Sequence, residues 1–574
     1  MRYLKFICFA LFLSMTSVTY AQKDTILHKE VEVTKAYQPI IRDAQKISII
    51  PANSDTVITK PTFGYSIQSK PGQLARTPTS IAAANLANES ETRSGLGYLK
   101  AGLGNYLTSY AELFLNKPQS ENTAFGMHFK HLASGGDIKL ANGSNVDAPF
   151  SQNGISMFAK QFFQSSALSF DLGYNRDRIT YYGLPDFQNL TYSEYYDRKQ
   201  VFQKAWLGAS YKINPSTEGQ PAYDFKLNYH YFTARSGQKE NFLSFQGDYI
   251  PTIQWFKLDL QGGVDYLRTN NLIFINDQDL FNNTLSYRQL ILVHFNPTFL
   301  FEGDQGKARI GMKSTINIDN TQDLKCYVSP NVQLDWYPIE KYLGLYAGAD
   351  GDFNPNTLAS MSELYPYKNT FEPISPTIEQ YRFYGGIQGQ ISDKFAYRTE
   401  ISHAWVEGLP SFYFNVIKLS GSNPMFYCDN RYHNDWIKTK DTRLTGEFSY
   451  TGGDQLSLHL NAIYHDYSER PMGVPLLETN LSANYKFDDR LSFDMHLHVE
   501  GERKFMMRYI SETIWTDGLI HYNDNPDHLD IYTFRPTPVV DLGIGGRYQF
   551  KPKLSFWGRV NNLLSRTQEL WFGY

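Results

Sequence analysis

His496, His498 and Glu500 stand at every second position near the end of the run Leu491 to Glu500, and His459 and His465 occupy an earlier run of the same kind. Imidazole nitrogens and carboxylate oxygens are the ligands of Zn²⁺ and related ions. Side chains i and i+2 on one strand face lie roughly 7 Å apart, so the three share an ion only if their ends converge. The competing reading is a wet wall that accepts any polar residue, histidine included. Asp259, Arg309 and Lys313 are charged candidates of another sort: on the wall of a channel they would set selectivity by charge and size. The chain has no Gly-x-Ser-x-Gly, no His-Glu-x-x-His and no Gly-rich phosphate loop, so no catalytic residue is assigned and the protein is not expected to be an enzyme.

What must position these groups is a strand with two unlike faces. Leu491 to Val499 reads Leu-Ser-Phe-Asp-Met-His-Leu-His-Val, one face wholly apolar and the other carrying Ser492, Asp494, His496 and His498. The pattern recurs from about Gly95 onward, with Leu456, Leu458 and Leu460 against Ser457, His459 and Asn461, and Ala308, Ile310 and Met312 against Arg309, Gly311 and Lys313. Because β side chains alternate with period 2, such strands separate lipid from water. An array of β-sandwiches would alternate as well. Against it, the 574 residues are polar on average (mean hydropathy −0.42) yet 15% aromatic, and no linker divides the region after Gly95. A wet lumen with aromatic belts has that composition.

Connections alternate in length. Short turns fall at Asp304 to Gly306, Ser392 to Lys394, Gly452 to Asp454, Asp488 to Asp489 and Lys551 to Lys553; long loops span Leu132 to Asn153, Ile179 to Gln200, Phe353 to Thr377, Glu407 to Trp436 and Glu502 to Arg535. Outer-membrane barrels keep short turns in the periplasm and long loops outside. The expected fold is all-β, a transmembrane antiparallel up-and-down β-barrel over residues 95–574 with about 20–22 strands. Placement between the turns gives about 21, and an even total makes Gln568 to Tyr574 supply the closing strand or leaves that strand missing.

The N-terminus reads as an export signal, with Arg2 and Lys5 before the apolar Phe6 to Met15 and Thr19-Tyr20-Ala21 for cleavage. Residues 1–21 are thus a signal peptide, and residues 22–94 an extended, irregular periplasmic segment with a short helix near Thr79 to Ala87. Export with no uninterrupted apolar run of ~18 residues points to the outer membrane of a Gram-negative cell. Cys326 and Cys428 remain after processing; a disulfide between them is possible, with free thiols the favoured reading. No polybasic run suggests nucleic acid. Asp350 to Asn356, Asn276 to Asn283 and Tyr522 to Asp530 offer oxygen ligands for Ca²⁺ in the outer loops, against their ordinary role as turn formers. Tyr181-Tyr182, Tyr192 to Tyr196, Tyr365-Pro366-Tyr367 and Phe412-Tyr413-Phe414 suit either stacking on a solute or an interfacial girdle.

Gly558-Arg559-Val560-Asn561-Asn562-Leu563-Leu564, followed by Glu569-Leu570-Trp571-Phe572-Gly573-Tyr574, resembles the closing hairpin of TonB-dependent outer-membrane receptors, in particular barrels of the Bacteroidetes type. Glu30-Val31-Glu32-Val33-Thr34 is similar to the segment that opens their plug domain. In the family a folded plug precedes the first strand and one more strand follows the aromatic-Gly-Tyr turn. Here only Lys35 to Ser94 are available for a plug, so the resemblance implies a relative without one, and a lumen whose filling has to come from loops or leader.

The function expected is a porin-like channel or substrate-translocating barrel of the outer membrane, with a small-molecule substrate that the sequence does not identify. The alternative is a structural or scaffolding subunit of an outer-membrane complex. Its partners are outer-membrane lipids and a periplasmic or surface-lipoprotein partner reached through residues 22–94 or the outer loops.

Overall fold

The computed structural model describes residues 96–574 except 121, 140–144, 183–198, 214–220, 254–255, 275–282, 321–322, 370–371, 420–424, 429–430, 517–518, 523–528, 567 and 569–574. The signal peptide, the periplasmic segment with its expected helix, and the segment assigned to closure lie outside the described residues, apart from Gln568.

Consecutive strands pair antiparallel around one wall. They are β1 (Gly97–Gly104), β2 (Thr108–Ser120), β3 (Thr123–Ser134), β4 (Phe150–Phe162), β5 (Ser166–Thr180), β6 (Lys199–Ile213) and β7 (Ala222–Ala234). Next come β8 (Lys239–Ile250), β9 (Phe256–Phe274), β10 (Asn283–Gly303), β11 (Gly306–Asp319), β12 (Lys325–Ile339), β13 (Leu343–Asn354) and β14 (Thr377–Ser392). The wall continues through β15 (Phe395–Leu419), β16 (His433–Gly452), β17 (Leu456–Tyr467), β18 (Leu477–Lys486), β19 (Leu491–Glu500), β20 (Val539–Lys551) and β21 (Leu554–Val560). That is the all-β meander expected, with short turns at one end and long loops at the other. β1 and β21 meet through side chains: the Lys100 ammonium lies 4.3 Å above the Trp557 ring, against which Tyr110 of β2 also packs edge-on.

Register turns the alternation into two surfaces. Leu460, Leu481, Leu497 and Leu542 are successive partners across β17 to β20. One residue away, His459, Ser482, His496 and Gly543 form the parallel row on the other face. Large apolar side chains on the first face, among them Leu172, Leu207, Leu227 and Phe245, stay substantially exposed. In water such a belt would aggregate; in lipid each CH₂ is at home. Among the described residues no helix is long and apolar enough to cross a membrane, which says nothing about strands.

The outer loops carry regular structure of their own: within Leu132 to Asn153 the segment Asp137–Lys139 pairs with Asn145–Asp147, and three further spans differ more. β15 does not stop at Glu407 but runs on to Leu419, because Pro410-Ser411-Phe412-Tyr413-Phe414-Asn415-Val416-Ile417 is aromatic and β-branched, a composition that favours strands. The span Glu502 to Arg535 likewise contains strands, and Phe505–Thr516 pairs in parallel with β15 from Tyr413 to Leu419. The span Phe353 to Thr377 contains a helix, α1 (Leu358–Leu364). Thr357 caps it, accepting from the Ser360 amide, while Ser360 Oγ accepts from the Thr357 amide; this reciprocal box satisfies two of the donors a helix start leaves open.

Candidate functional site: the inner wall and its outer cap

The largest buried core lies above the wall. Leu358, Ala359 and Met361 of α1 pack with Phe202 on β6 and Phe232 on β7, and the same cluster takes in Phe412 and Phe414 of β15, Tyr432 and Phe505. β7 and β15 are eight strands apart, so these side chains meet across the mouth. Phe412, Tyr432 and Phe505 are almost entirely removed from solvent. At about 1.5–3 kcal/mol for each large apolar side chain buried, the cluster is the chief stabiliser of the loops.

Polar groups fix where the cap sits. Glu240 on β8, fully buried, accepts from the Leu358 amide at 2.5 Å and the Ala359 amide at 3.2 Å, and pairs with His230 Nε2 at 3.0 Å. Glu372 holds the other side, accepting from the Asn434 amide at 2.9 Å and pairing with His433 Nδ1 at 2.5 Å. Arg288 on β10 donates to the Ile374 carbonyl. Lys368 is buried in the cap and donates to the Asn369 carbonyl at 3.1 Å. Burial pulls its amine down to about 8, and the nearby Glu372 opposes the shift.

Below the cap, the inner wall carries paired charges. Arg382 binds Asp350 through two nitrogens at 2.8 and 2.7 Å and reaches Glu400 at 3.5 Å. Arg443 joins Asp441 at 2.8 Å to Glu379 at 3.2 Å, and His465 Nδ1 lies 3.0 Å from Asp441. Between β10 and β14 a cavity of about 170 Å³ opens against this wall, lined by His294, Lys313, Thr315, Ser329, Asp352 and Glu379 among others.

The residues singled out from sequence are dispersed. His498 engages Asn480 Oδ1 through Nδ1 at 2.7 Å and Glu500 through Nε2 at 3.2 Å. His496 lies over Gly543, where any Cβ would collide with its ring, so glycine leaves it room. Among the described residues no group of three His, Cys, Asp or Glu side chains is arranged to hold a metal ion. Of the candidate triad, His498 and Glu500 meet while His496 lies over Gly543, and the partner Asn480 on the neighbouring strand is not revealed by alternation within one strand. Asp259 accepts from Gln261 at 3.3 Å, Arg309 donates to Gln333 at 3.3 Å, and Lys313 donates to the Gly351 carbonyl at 3.0 Å. Only Lys313 of these lines the cavity.

In the loop offered for Ca²⁺, Asp350 serves Arg382, Asn354 caps the Asn356 amide, and Asn356 donates to Ser375 and Thr377. Those groups are occupied by the fold; most of the loops 276–283 and 522–530 lies outside the described residues. Cys326 is a free thiol, and the side chain of Cys428 is outside the described set. The aromatic clusters at 181–182, 365–367 and 412–414 belong to the cap rather than to a girdle: Tyr181 and Tyr182 pack edge-on against Tyr367, and Tyr365 lies 4.3 Å from Phe412. Glu240 and Glu372 are not marked by sequence because their partners lie on elements distant in the chain, and Arg382 because its partners sit across the two flanking strands.

No family model matches the sequence, and no curated protein does. Solved structures do. A ferric enterobactin receptor of Pseudomonas aeruginosa is 14% identical with a TM-score of 0.56, covering 82% of this chain and 74% of its own. The siderophore receptor PirA from Acinetobacter baumannii is 12% identical, with a TM-score of 0.55 and 82% and 75% covered. The copper transporter OprC is 11% identical, with a TM-score of 0.54 and 83% and 78% covered. The chain therefore has the fold of outer-membrane receptor barrels.

Proposed function

We propose that this protein is a substrate-translocating barrel of the outer membrane, built like the receptor barrels it resembles and closed at its outer mouth by its own loops rather than by a separate plug. The observation that carries the reading is the cap: an apolar core assembled from loops rooted on opposite sides of the mouth, pinned to the inner wall by Glu240. A wall of so many strands encloses far more space than its side chains fill. The ion-paired inner wall beneath offers solutes a polar, fixed surface. In this reading a solute from outside engages the cap first, and the cavity beside Lys313, Asp352 and Glu379 is the first wall site it meets.

Planar-bilayer conductance tests it. The parent is expected to be nearly silent, and a variant in which residues 358–374 are replaced by a short Gly-Ser linker is expected to conduct steadily. A parent that conducts as a wide pore, or a linker variant as silent as the parent, would sink the proposal.

A further inference from the structure

On the lipid-facing side of β5 to β9, register sorts residues by depth. Phe170, Ala209, Leu227, Phe245 and Val264 fall in one line across the strands. Toward the loop end the next line is Leu172, Leu207, Tyr229, Leu243 and Tyr266, and then Tyr174, Ala205, Tyr231, Asn241 and Arg268. The line after that is Arg176, Gln203, Thr233, Lys239 and Asn270. Beyond it come Arg178, paired with Val201, and Arg235, whose amide bonds the Val201 carbonyl. The tyrosine hydroxyls lean toward the loop end: Tyr174 donates to Gln203 at 2.7 Å and Tyr229 to Asn241 at 2.8 Å. Apolar, then amphipathic aromatic, then basic is the order of hydrocarbon, interface and headgroup.

Along the two outermost lines the side chains are basic or neutral, with no carboxylate. Arg176 and Lys239 are exposed, and neither they nor Arg178 has an ion-pair partner among the described residues. The rim elsewhere is built differently: on β15 and β16 Lys438 lies 3.0 Å from Glu407, with Asp466 and Glu469 in the same sector. Strands stand about 4.8 Å apart and alternate residues about 7 Å. Arg176, Arg178 and Lys239 therefore spread over roughly 15 Å, the reach of a headgroup carrying more than one phosphate.

We infer that this sector binds the phosphates of an anionic outer-leaflet lipid, with Arg176, Arg178 and Lys239 as its ligands. The inference rests on the membrane placement proposed above and not on transport. Arginine takes phosphate oxygens through paired N–H donors, and each cation at a charged surface strengthens lipid binding about fivefold. The tyrosine line beneath would seat the glycerol or sugar end, and the Leu and Phe lines the acyl chains.

The test is native mass spectrometry of the full-length barrel in mild detergent, titrated with bis-phosphorylated lipid A. The parent is expected to retain the lipid, and Arg176→Gln/Arg178→Gln/Lys239→Gln to bind about a hundredfold more weakly, with Lys438→Gln unchanged. Dephosphorylated lipid A and inorganic phosphate are expected to compete poorly. Equal binding by parent and triple variant, or equal competition by the dephosphorylated lipid, overturns the inference. Heat-modifiable migration on gels reports folding; should the triple variant fail that check, Lys239→Gln alone carries the comparison, with the same two outcomes at about fivefold. Because nothing passes through the lumen in this measurement, its result is independent of the conductance result.

Discussion

The wall and the cap are made of the same kinds of residue under different rules. In the wall each strand pairs with its neighbour in sequence, and a side chain's fate follows from whether its position is odd or even. Leu227 faces lipid and Asn228 the lumen, though they are adjacent. In the cap, parity decides nothing. Phe412 and Tyr413 are both buried, and Phe412 belongs to a cluster drawn from positions as far apart as Phe202 and Phe505. The wall is thus a repeated local solution to two solvents, and the cap a single distant one to ordinary water.

That contrast breaks most visibly with Phe412→Ala. Removing a fully buried ring should cost the cap about 3–5 kcal/mol while leaving the strand ladders alone. Limited proteolysis is expected to cut the outer loops of the variant, with heat-modifiable migration of the barrel unchanged. Loss of both together would show that cap and wall are one cooperative unit.

Within the wall, Leu227→Arg and Asn228→Arg set parity against itself. A cation at mid-depth on the lipid face costs about 2–4 kcal/mol, whereas the lumen position is already wet. Denaturant unfolding in lipid vesicles should separate the two variants by that amount, and equal stabilities would mean that the inward and outward faces are misassigned.

Alkaline pH should tighten the cap. An ordinary lysine holds its proton to 10.5, whereas Lys368 in the cap gives it up at about 8. Between those values opening the cap takes up a proton, so the cap tightens as pH rises through the window, by on the order of 3 kcal/mol at most, and is weakest and flat below about 8. Hydrogen exchange of the cap amides at pH 7.5 and 10 should show the gain in the parent and its absence in Lys368→Met, which is expected to be tight at both. A parent whose exchange, corrected for intrinsic pH dependence, is the same at both would remove Lys368 from any role in closure.

How much was legible in the sequence divides along the same line. Alternation at Leu491 to Val499, short turns such as Asp488-Asp489 and loops such as 353–377 carry the strand order and the faces, because those are local properties. Alternation places His498 on one face with Glu500, which it meets, and does not show that Asn480, from the neighbouring strand, takes its other nitrogen. Nothing in the sequence around Glu240 marks it; its role depends on Leu358, 118 positions away. The aromatic triplet at 412–414 was visible, and its burial was not, since only the return of distant loops removes it from water.

The attachment of α1 to Glu240 also sets an order of events. The helix hangs from a carboxylate that is held in place only when β8 is already seated beside β7 and β9, so α1 docks after these three strands have paired. On the function proposed above, a barrel whose strands have paired before its loops meet is open at the mouth, for as long as a handful of loops take to find one another.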